Sequence, residues 1–221
     1  MTNERIIVTL TTWEARIGNI PTVLDTIYSQ TIEPDIVVLN VAENLSIPPI
    51  VSEYIKLHGI EVNRVADTKV YKKLIPTLKK YPNDCVISID DDWLYPQEMI
   101  HDFWEIHKKY PQFPISGNRL VVFGMQCHCG CASLSKADYF GDMLSQINDE
   151  LISECSSDDM VYTFFANKSH HPYLRTENEY YVNMIPYNAQ VSYSENNSDE
   201  IYRTFEYLKR RFGYQCGWGA D

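Results

Sequence analysis

Three consecutive aspartates, Asp90, Asp91 and Asp92, follow the apolar run CVISI at 85–89. A strand ending in carboxylates delivers them to the carboxyl edge of a sheet, where open α/β sheets bind ligands. In a chain that stays extended, side chains alternate, so Asp90 and Asp92 share one side. Two carboxylates at that spacing can hold a hard divalent cation and leave positions for phosphate oxygens. Three adjacent like charges at a buried strand end repel one another, and a cation relieves that cost. The plainer alternative is a set of solvated acids, one of them capping the helix that Pro96 opens.

Two further clusters carry chemically useful groups. Asp158 and Asp159 follow Ser156 and Ser157. Serines cap helices and acids suit the positive end of the helix dipole, so local structure alone accounts for this pair. A like-charged neighbour also raises a carboxylate's pKa, which suits a proton acceptor. The stretch CHCGCASL at 127–134 places His128 among Cys127, Cys129 and Cys131. Zinc sites prefer cysteines two to four residues apart. Alternating cysteines in a strand would share one face, opposite His128 and Gly130, and buried reduced thiols are the favoured reading. Arg119 could reach a phosphate or an acceptor carboxylate, although a surface or core-capping arginine is the simpler expectation.

These residues need a scaffold, and the first half of the chain spells one out. IIVTLT at 6–11 reads as a buried strand, followed by a helix opened by Asn19 and Pro21 with Ile20, Val23, Leu24 and Ile27 on one face. DIVVLNV at 35–41 is a second strand. A helix follows Pro48-Pro49 and stops at Gly59. IEVNRV at 60–65 is a third strand, and a helix through Leu74, Ile75 and Leu78 follows. The fourth strand is 85–89, apolar enough to be central. After Pro96 a helix carries Met99, Ile100, Phe103 and His107. Four strand–helix alternations predict an α/β fold with a mostly parallel central sheet and helices on both faces. No glycine-rich fingerprint follows the first strand, which argues against a dinucleotide site. The second half is less regular: a strand or two in 114–124, a helix over 142–153, a short helix after Asp159, a polar loop at 187–200 and a last helix near 199–212.

The 221 residues suit one elaborated domain, with a nucleotide-binding half at 1–112 and an acceptor-side half at 113–221. A net charge of −11 excludes nucleic acid or anionic membrane as a bulk-charge partner. Any phosphate must be handled locally, by a metal or a few placed cations. The N-terminus MTNERIIVTL lacks a signal-peptide pattern, and no run approaches the ~18 apolar residues that span a bilayer. The expected location is the cytoplasm, with peripheral association at the inner membrane face left open, and the six cysteines are expected to be reduced there.

With DXD at the end of a central strand after three βα units, the chain resembles the GT-A fold glycosyltransferases. VTLTTWEARIGNIPTVLDTIYSQTIEPDIVVLNVAEN is similar to the opening of the bacterial family 2-type enzymes, and DTKVYKKLIPTLKKYPNDCVISIDDDWLYP to the nucleotide-binding core of one subgroup. The resemblance covers about 5–165 and is strongest at 67–96. It implies that Thr11, Thr12 and Arg16 lie near the nucleotide, that Glu43 and Asp67 lie near the base, and that Lys72 or Lys73 meets the diphosphate. Asp90 and Asp91 would belong to the donor site, with Asp90 and Asp92 as ligands of Mn²⁺ or Mg²⁺. In the family an acidic pair at a helix start supplies the general base, which here implies Asp159, with Asp158 second. Each has a plainer reading: strand-ending threonines, a helix-capping Asp67, solvated lysines. The stretch 127–140 lacks the aromatic-proline pair common in relatives, so acceptor preference does not carry over. His170 and His171 lie beyond the motif match and read as loop histidines.

The implied reaction moves a sugar from a nucleotide-diphosphate donor, UDP- or GDP-linked, to a hydroxyl on a glycan or other acceptor, with inversion. Three alternatives remain. A nucleotidyltransferase needs a glycine-rich basic loop, which TTWEARIG hardly supplies. A DxD phosphatase carries its nucleophile at the end of the first strand, where Thr11 and Thr12 stand. A degenerate family member would bind nucleotide-sugar or glycan without turnover.

Overall fold

The computed structural model describes residues 4–117, 120–176, 185–188 and 198–213. Alternating strands and helices build its first half: β1 (Ile6–Thr11), α1 (Ile20–Tyr28), β2 (Ile36–Ala42), α2 (Pro49–His58), β3 (Glu61–Val65), α3 (Ile75–Lys80) and β4 (Cys85–Ile89). Each stop has a local cause. Gly59 ends α2 in the left-handed region at φ 64°. Pro76 sits in the first turn of α3, where its missing N–H costs nothing. A 3-10 turn at Lys69–Lys73, not foreseen from the sequence, leads into that helix.

Beyond β4 come β5 (Trp93–Leu94), α4 (Met99–Lys109), β6 (Ile115–Ser116), β7 (Val121–Val122), β8 (Met125–Gln126) and β9 (Ala132–Ser135). They are followed by α5 (Met143–Gln146), α6 (Asp149–Glu154), α7 (Asp158–Lys168), β10 (Leu174–Arg175), β11 (Ile185–Pro186) and α8 (Ser198–Phe212). The single helix expected over 142–153 is two. Asn148 takes an extended conformation between them, and its side chain accepts the Leu151 N–H at 3.0 Å, capping α6.

Seven strands form one sheet in the order β10-β6-β9-β4-β1-β2-β3. β4 is the central strand, as its apolar run suggested; β1 runs parallel beside it and beside β2, and β3 extends the parallel set. β9 is antiparallel to β4 and to β6. The expectation of a mostly parallel α/β sheet therefore holds, with one inserted antiparallel strand. Alternation sends Val8, Leu10, Leu39 and Ile87 into a core with α1, α2 and α4. Ile7, Val38 and Val86 face the other way, toward α3, α7 and α8.

One buried polar node interrupts that second face. Asn40 Nδ2 donates to Thr9 Oγ1 and to Thr77 Oγ1, both at 2.9 Å, and reaches the Lys73 carbonyl at 3.2 Å. Thr9 Oγ1 also donates to the Lys73 carbonyl at 2.8 Å, and Asn63 Nδ2 donates to Asn40 Oδ1 at 2.9 Å. The sheet thereby grips the backbone from which the Lys73 side chain departs. Leaving a buried polar group unpaired costs about 1–3 kcal/mol. Asn40→Leu orphans several, so its urea unfolding free energy is expected to fall by at least about 2 kcal/mol. An unchanged midpoint would show that the node holds nothing.

Candidate active site

The site begins where β4 ends. The chain does not stay extended there: Asp91 and Asp92 form a turn before β5, so strand alternation is not what orients these carboxylates. Tyr95 Oη accepts the Asp90 N–H at 2.8 Å and lies 3.0 Å from the Asp90 carbonyl and 2.8 Å from the Cys131 carbonyl. This phenol pins the strand end to the neighbouring loop. Asp90 Oδ1 then meets Lys73 Nζ at 2.8 Å.

Asp91 turns inward and is buried. Thr12 Oγ1 donates to its Oδ2 at 2.6 Å, Arg16 to its Oδ1 at 3.0 Å, and Asn19 to its carbonyl at 3.1 Å. Arg16 also reaches Asp92 Oδ2 at 2.9 Å. The loop after β1 is thus fastened to the acidic turn. Burial and then the Asp90 charge push Asp92 up to about 6. Burial raises Asp91 too, against the pull of Thr12 and Arg16.

A second pair of carboxylates arrives from α7. Ser157 caps this helix, its Oγ accepting the Met160 N–H at 3.3 Å. Ser157 therefore accounts locally for the helix start, and the helix also brings Asp158 and Asp159 within electrostatic reach of Lys73. Burial works against the Lys73 ammonium, yet Asp90, Asp158 and Asp159 outweigh it and hold its pKa above the ordinary lysine range. Asp158 is buried. Asp159 keeps 36% of its side chain exposed, while its Oδ1 is buried without a partner. Burial, and then the neighbouring Asp158, raise the Asp159 pKa. Gly130 passes between the two groups. A Cβ there would stand 3.3 Å from both Asp159 Oδ1 and Lys73 Nζ, so only glycine admits this close approach without displacement.

Two clefts open beside these groups. A small one of about 90 Å³ is lined by Thr11, Thr12, Trp13, Arg16, Lys69, Val70, Lys72, Lys73, Asp90 and Asp91. A larger one of about 410 Å³ runs past Lys69, Val70, Cys127, Asp158, Asp159 and Met160, and its volume lies in the range of about 300–1,000 Å³ typical of small-molecule sites. Lys69 borders both, in the left-handed region at φ 56°, with its N–H donated to Asp67 Oδ1 at 3.2 Å. Such strain in a non-glycine residue concentrates at functional sites. Nothing in the sequence pattern marked Lys69 or Tyr95.

The remaining expected residues are placed as follows. Thr11 donates to the Asn40 carbonyl at 2.8 Å and still borders the small cleft. Lys72 is buried, paired with Asp67 at 2.6 Å and bonded to the Lys69 carbonyl at 2.8 Å. That ammonium holds the Asp67 carboxyl below its usual range. Glu43 is exposed at the end of β2 and lines neither cleft. His171 bonds the Gln112 carbonyl, and His170 sits at φ 64° beyond α7. Arg119 lies outside the described residues. The cysteine stretch is not a strand: β9 starts only at Ala132. Cys127, His128 and Cys129 are consequently all buried rather than split between two faces. Burial pushes the Cys127 thiol up to about 11.

Lys73 pairs with Asp90 Oδ1 and Arg16 with Asp92 Oδ2, so hard oxygen donors of the kind a divalent cation takes stand at this strand end. Five carboxylates, Asp90, Asp91, Asp92, Asp158 and Asp159, share two ammonium or guanidinium groups. Among the described residues no third His, Cys, Asp or Glu closes on Asp90 and Asp92, so their coordination positions would fall to ligand oxygens and water. The one compact trio, Glu4, Cys85 and His107, lies at the opposite end of β4. There Glu4 is bonded to His107 at 3.1 Å and paired with Lys136, an ion-pair clasp on the N-terminal segment.

No protein-family model matches this sequence, and no curated protein matches it significantly. Solved structures do. A mannosyltransferase from Pyrobaculum calidifontis, in complex with GDP-Man and Mn²⁺, superposes with TM-score 0.59 at 16% identity, over 80% of this chain and 56% of that one. The Staphylococcus aureus TarS fragment 1–349 with UDP gives 0.56 at 12%, over 96% and 72%. A 4-diphosphocytidyl-2C-methyl-D-erythritol synthase gives 0.54 at 10%, over 93% and 100%, and a Leptospira borgpetersenii cytidylyltransferase 0.55 at 12% over all of both chains. The fold is the mostly parallel α/β fold that these solved structures share. Its neighbours divide between glycosyltransferases and cytidylyltransferases, and this chain spans little more than half of the mannosyltransferase. A divalent metal is compatible with the fold, and among the described residues no helix is long and apolar enough to cross a membrane.

The raised Asp92 pKa makes a prediction for metal-free protein. A carboxyl whose folded pKa exceeds its unfolded value contributes most stability when protonated, and that contribution is lost as pH rises through about 6. Asp92→Asn removes the ionisation. Its urea stability relative to the parent should improve between pH 5 and pH 8, by about 1.4 kcal/mol. A pH-independent difference would refute the shift.

Proposed function

We propose that this chain transfers a sugar from a nucleoside-diphosphate sugar to a hydroxyl acceptor, with Asp159 as general base and Asp90 and Asp92 holding a Mn²⁺ or Mg²⁺ ion. The observation that carries this reading is the placement of Asp159. It borders the larger cleft, its pKa is raised by burial and by Asp158, and it lies within electrostatic reach of Lys73, which is paired with Asp90 at the strand end. A base needs a carboxylate that is ionised at working pH yet eager for a proton, and such surroundings produce one.

Asp159 takes the proton of the acceptor hydroxyl as its oxygen attacks the anomeric carbon. The bond from that carbon to the diphosphate oxygen breaks, and the nucleoside diphosphate leaves. Attack opposite the leaving group inverts the centre. A bound divalent cation would neutralise charge developing on the departing diphosphate. Lys73, held in place from beneath by Thr9 and Asn40, keeps the carboxylates of β4 and α7 from driving each other apart. Thr12, Arg16 and Asn19 position the acidic turn. UDP- or GDP-sugars are the donors to test first, given what the two glycosyltransferase neighbours contain.

Nucleotidyl transfer is the second reading, because the two cytidylyltransferase neighbours match nearly their full lengths. The electrostatics of the loop after β1 weigh against it. Between β1 and α1 the only cation is Arg16, and Arg16 is engaged by Asp91 and Asp92. A triphosphate carries more charge than that loop can neutralise.

Calorimetric titration of UDP and GDP, with and without Mn²⁺, tests the donor site. Metal-dependent binding that Asp92→Ala weakens at least tenfold is expected, and binding indifferent to both metal and variant would sink the assignment. Products separate the two activities: UDP or GDP released from a sugar nucleotide supports transfer of sugar, whereas pyrophosphate released from CTP or GTP supports nucleotidyl transfer. Asp159→Asn should cut sugar transfer by roughly 10²–10⁴ with donor binding intact. Unchanged turnover would remove Asp159 as the base.

A further inference from the structure

His128 is completely buried in the loop between β8 and β9, and the reaction as described makes no use of it. Its backbone N–H donates to Thr163 Oγ1 at 2.9 Å, and Thr163 Oγ1 donates onward to the Asp159 carbonyl at 2.7 Å. The loop is therefore tied to the first turn of α7. Its ring has two very different ends. Nδ1 lies 2.8 Å from the Tyr173 hydroxyl, which in turn lies 3.3 Å from Ser135 Oγ. Nε2 points at Asp159 Oδ1 across 3.9 Å, and both of these atoms are buried with no hydrogen-bond partner. Tyr162 and Tyr173 stand edge-on to the ring at 4.9 and 5.4 Å and fix its plane.

Burial and the nearby Lys73 ammonium keep this imidazole neutral, so it carries one proton. With that proton on Nδ1 and Asp159 ionised, as a base must be, the Nε2 lone pair would face the lone pairs of a carboxylate in a dry site. With it on Nε2, the ring donates toward Asp159 while Tyr173 donates to Nδ1 and Ser135 to Tyr173. Every donor in the row then has an acceptor. The 3.9 Å gap exceeds a hydrogen bond by about 1 Å, and catalytic hydrogen bonds commonly tighten only in the substrate complex. Asp158, Lys73, Cys129 and Asp90 act on Asp159, and Tyr71, Cys127, Cys131, Tyr162 and Tyr173 also face its charge; Lys73 is the cation in this group.

We propose that His128 is a positioning residue for Asp159: its Nε2–H, set by the Ser135–Tyr173 row, holds Oδ1 and so turns Oδ2 toward the cleft. This assignment rests on Asp159 as the base, but the tautomer behind it does not. Nitrogen-15 spectra of the imidazoles in the full chain at pH 7, with His128 assigned by its loss in His128→Gln, decide the first point. A protonated Nε2 and a bare Nδ1 are expected, and Tyr173→Phe should mix the two tautomers. A proton on Nδ1, or on both nitrogens, would overturn the proposal whatever the enzyme's activity.

Hydrolysis of UDP-glucose and GDP-mannose, with water as acceptor, tests the consequence. His128→Phe should lower kcat by roughly ten- to a hundred-fold, with UDP or GDP affinity unchanged. His128→Gln, whose amide N–H falls near Nε2, should restore most of it. Full activity in the phenylalanine variant, or equal losses in both variants with the fold intact, would refute the positioning role. If Asp159→Asn hydrolyses donor normally, the base assignment fails instead, and the tautomer result still reports whether His128 addresses that carboxylate.

Discussion

Crowded negative charge is the constraint on which the rest of the structure depends. Five carboxylates converge from the end of β4 and the start of α7, and Lys73 and Arg16 are the cations set among them. Like charges at such separations in a poorly hydrated site repel by several kcal/mol unless they are paired or protonated. Burial first, and the neighbouring carboxylates after it, raise the pKa values of Asp92, Asp158 and Asp159. Under the proposed function, a divalent ion would supply the missing positive charge and let a chain of net charge −11 take a phosphate-bearing ligand.

Much of the surrounding fold exists to hold that cluster together. β1 and β2 contribute Thr9 and Asn40, which anchor the backbone of Lys73 from inside the sheet. Tyr95 joins the end of β4 to Cys131, and the Gly130 carbonyl accepts from Lys73 at 3.1 Å. β9, inserted antiparallel beside β4, brings the 127–131 loop against α7. These hydrogen bonds tie the backbone around the carboxylates to the sheet and to α7.

Fold alone does not separate sugar transfer from nucleotidyl transfer, because both chemistries use this sheet and its carboxyl edge. The proposed sugar transfer draws its support from the site instead: the loop after β1 is tied down by carboxylates, and the acidic pair of α7, with Asp158 buried and Asp159 partly exposed, borders the larger cleft.

Periodicity in the sequence alone determined the βα alternation of the first half, the helix stop at Gly59 and the position of the acidic strand end, because these follow from interactions within a few residues. Asp90, Asp92, Asp158, Asp159 and Lys73 were all legible as charged groups in suggestive settings. Their meeting was not. Lys73 bonds Asp90 across 17 positions and Gly130 across 57, and such contacts depend on strand order, register and the turn at 69–73. The strand alternation invoked for Asp90 and Asp92, and for the three cysteines, failed where the chain left extended geometry. The antiparallel β9 and the burial of His128 against Asp159 likewise had no local signal. Only tertiary packing decided which of many chemically capable side chains share one low-dielectric site, because burial and proximity, rather than residue type, set their protonation and reach.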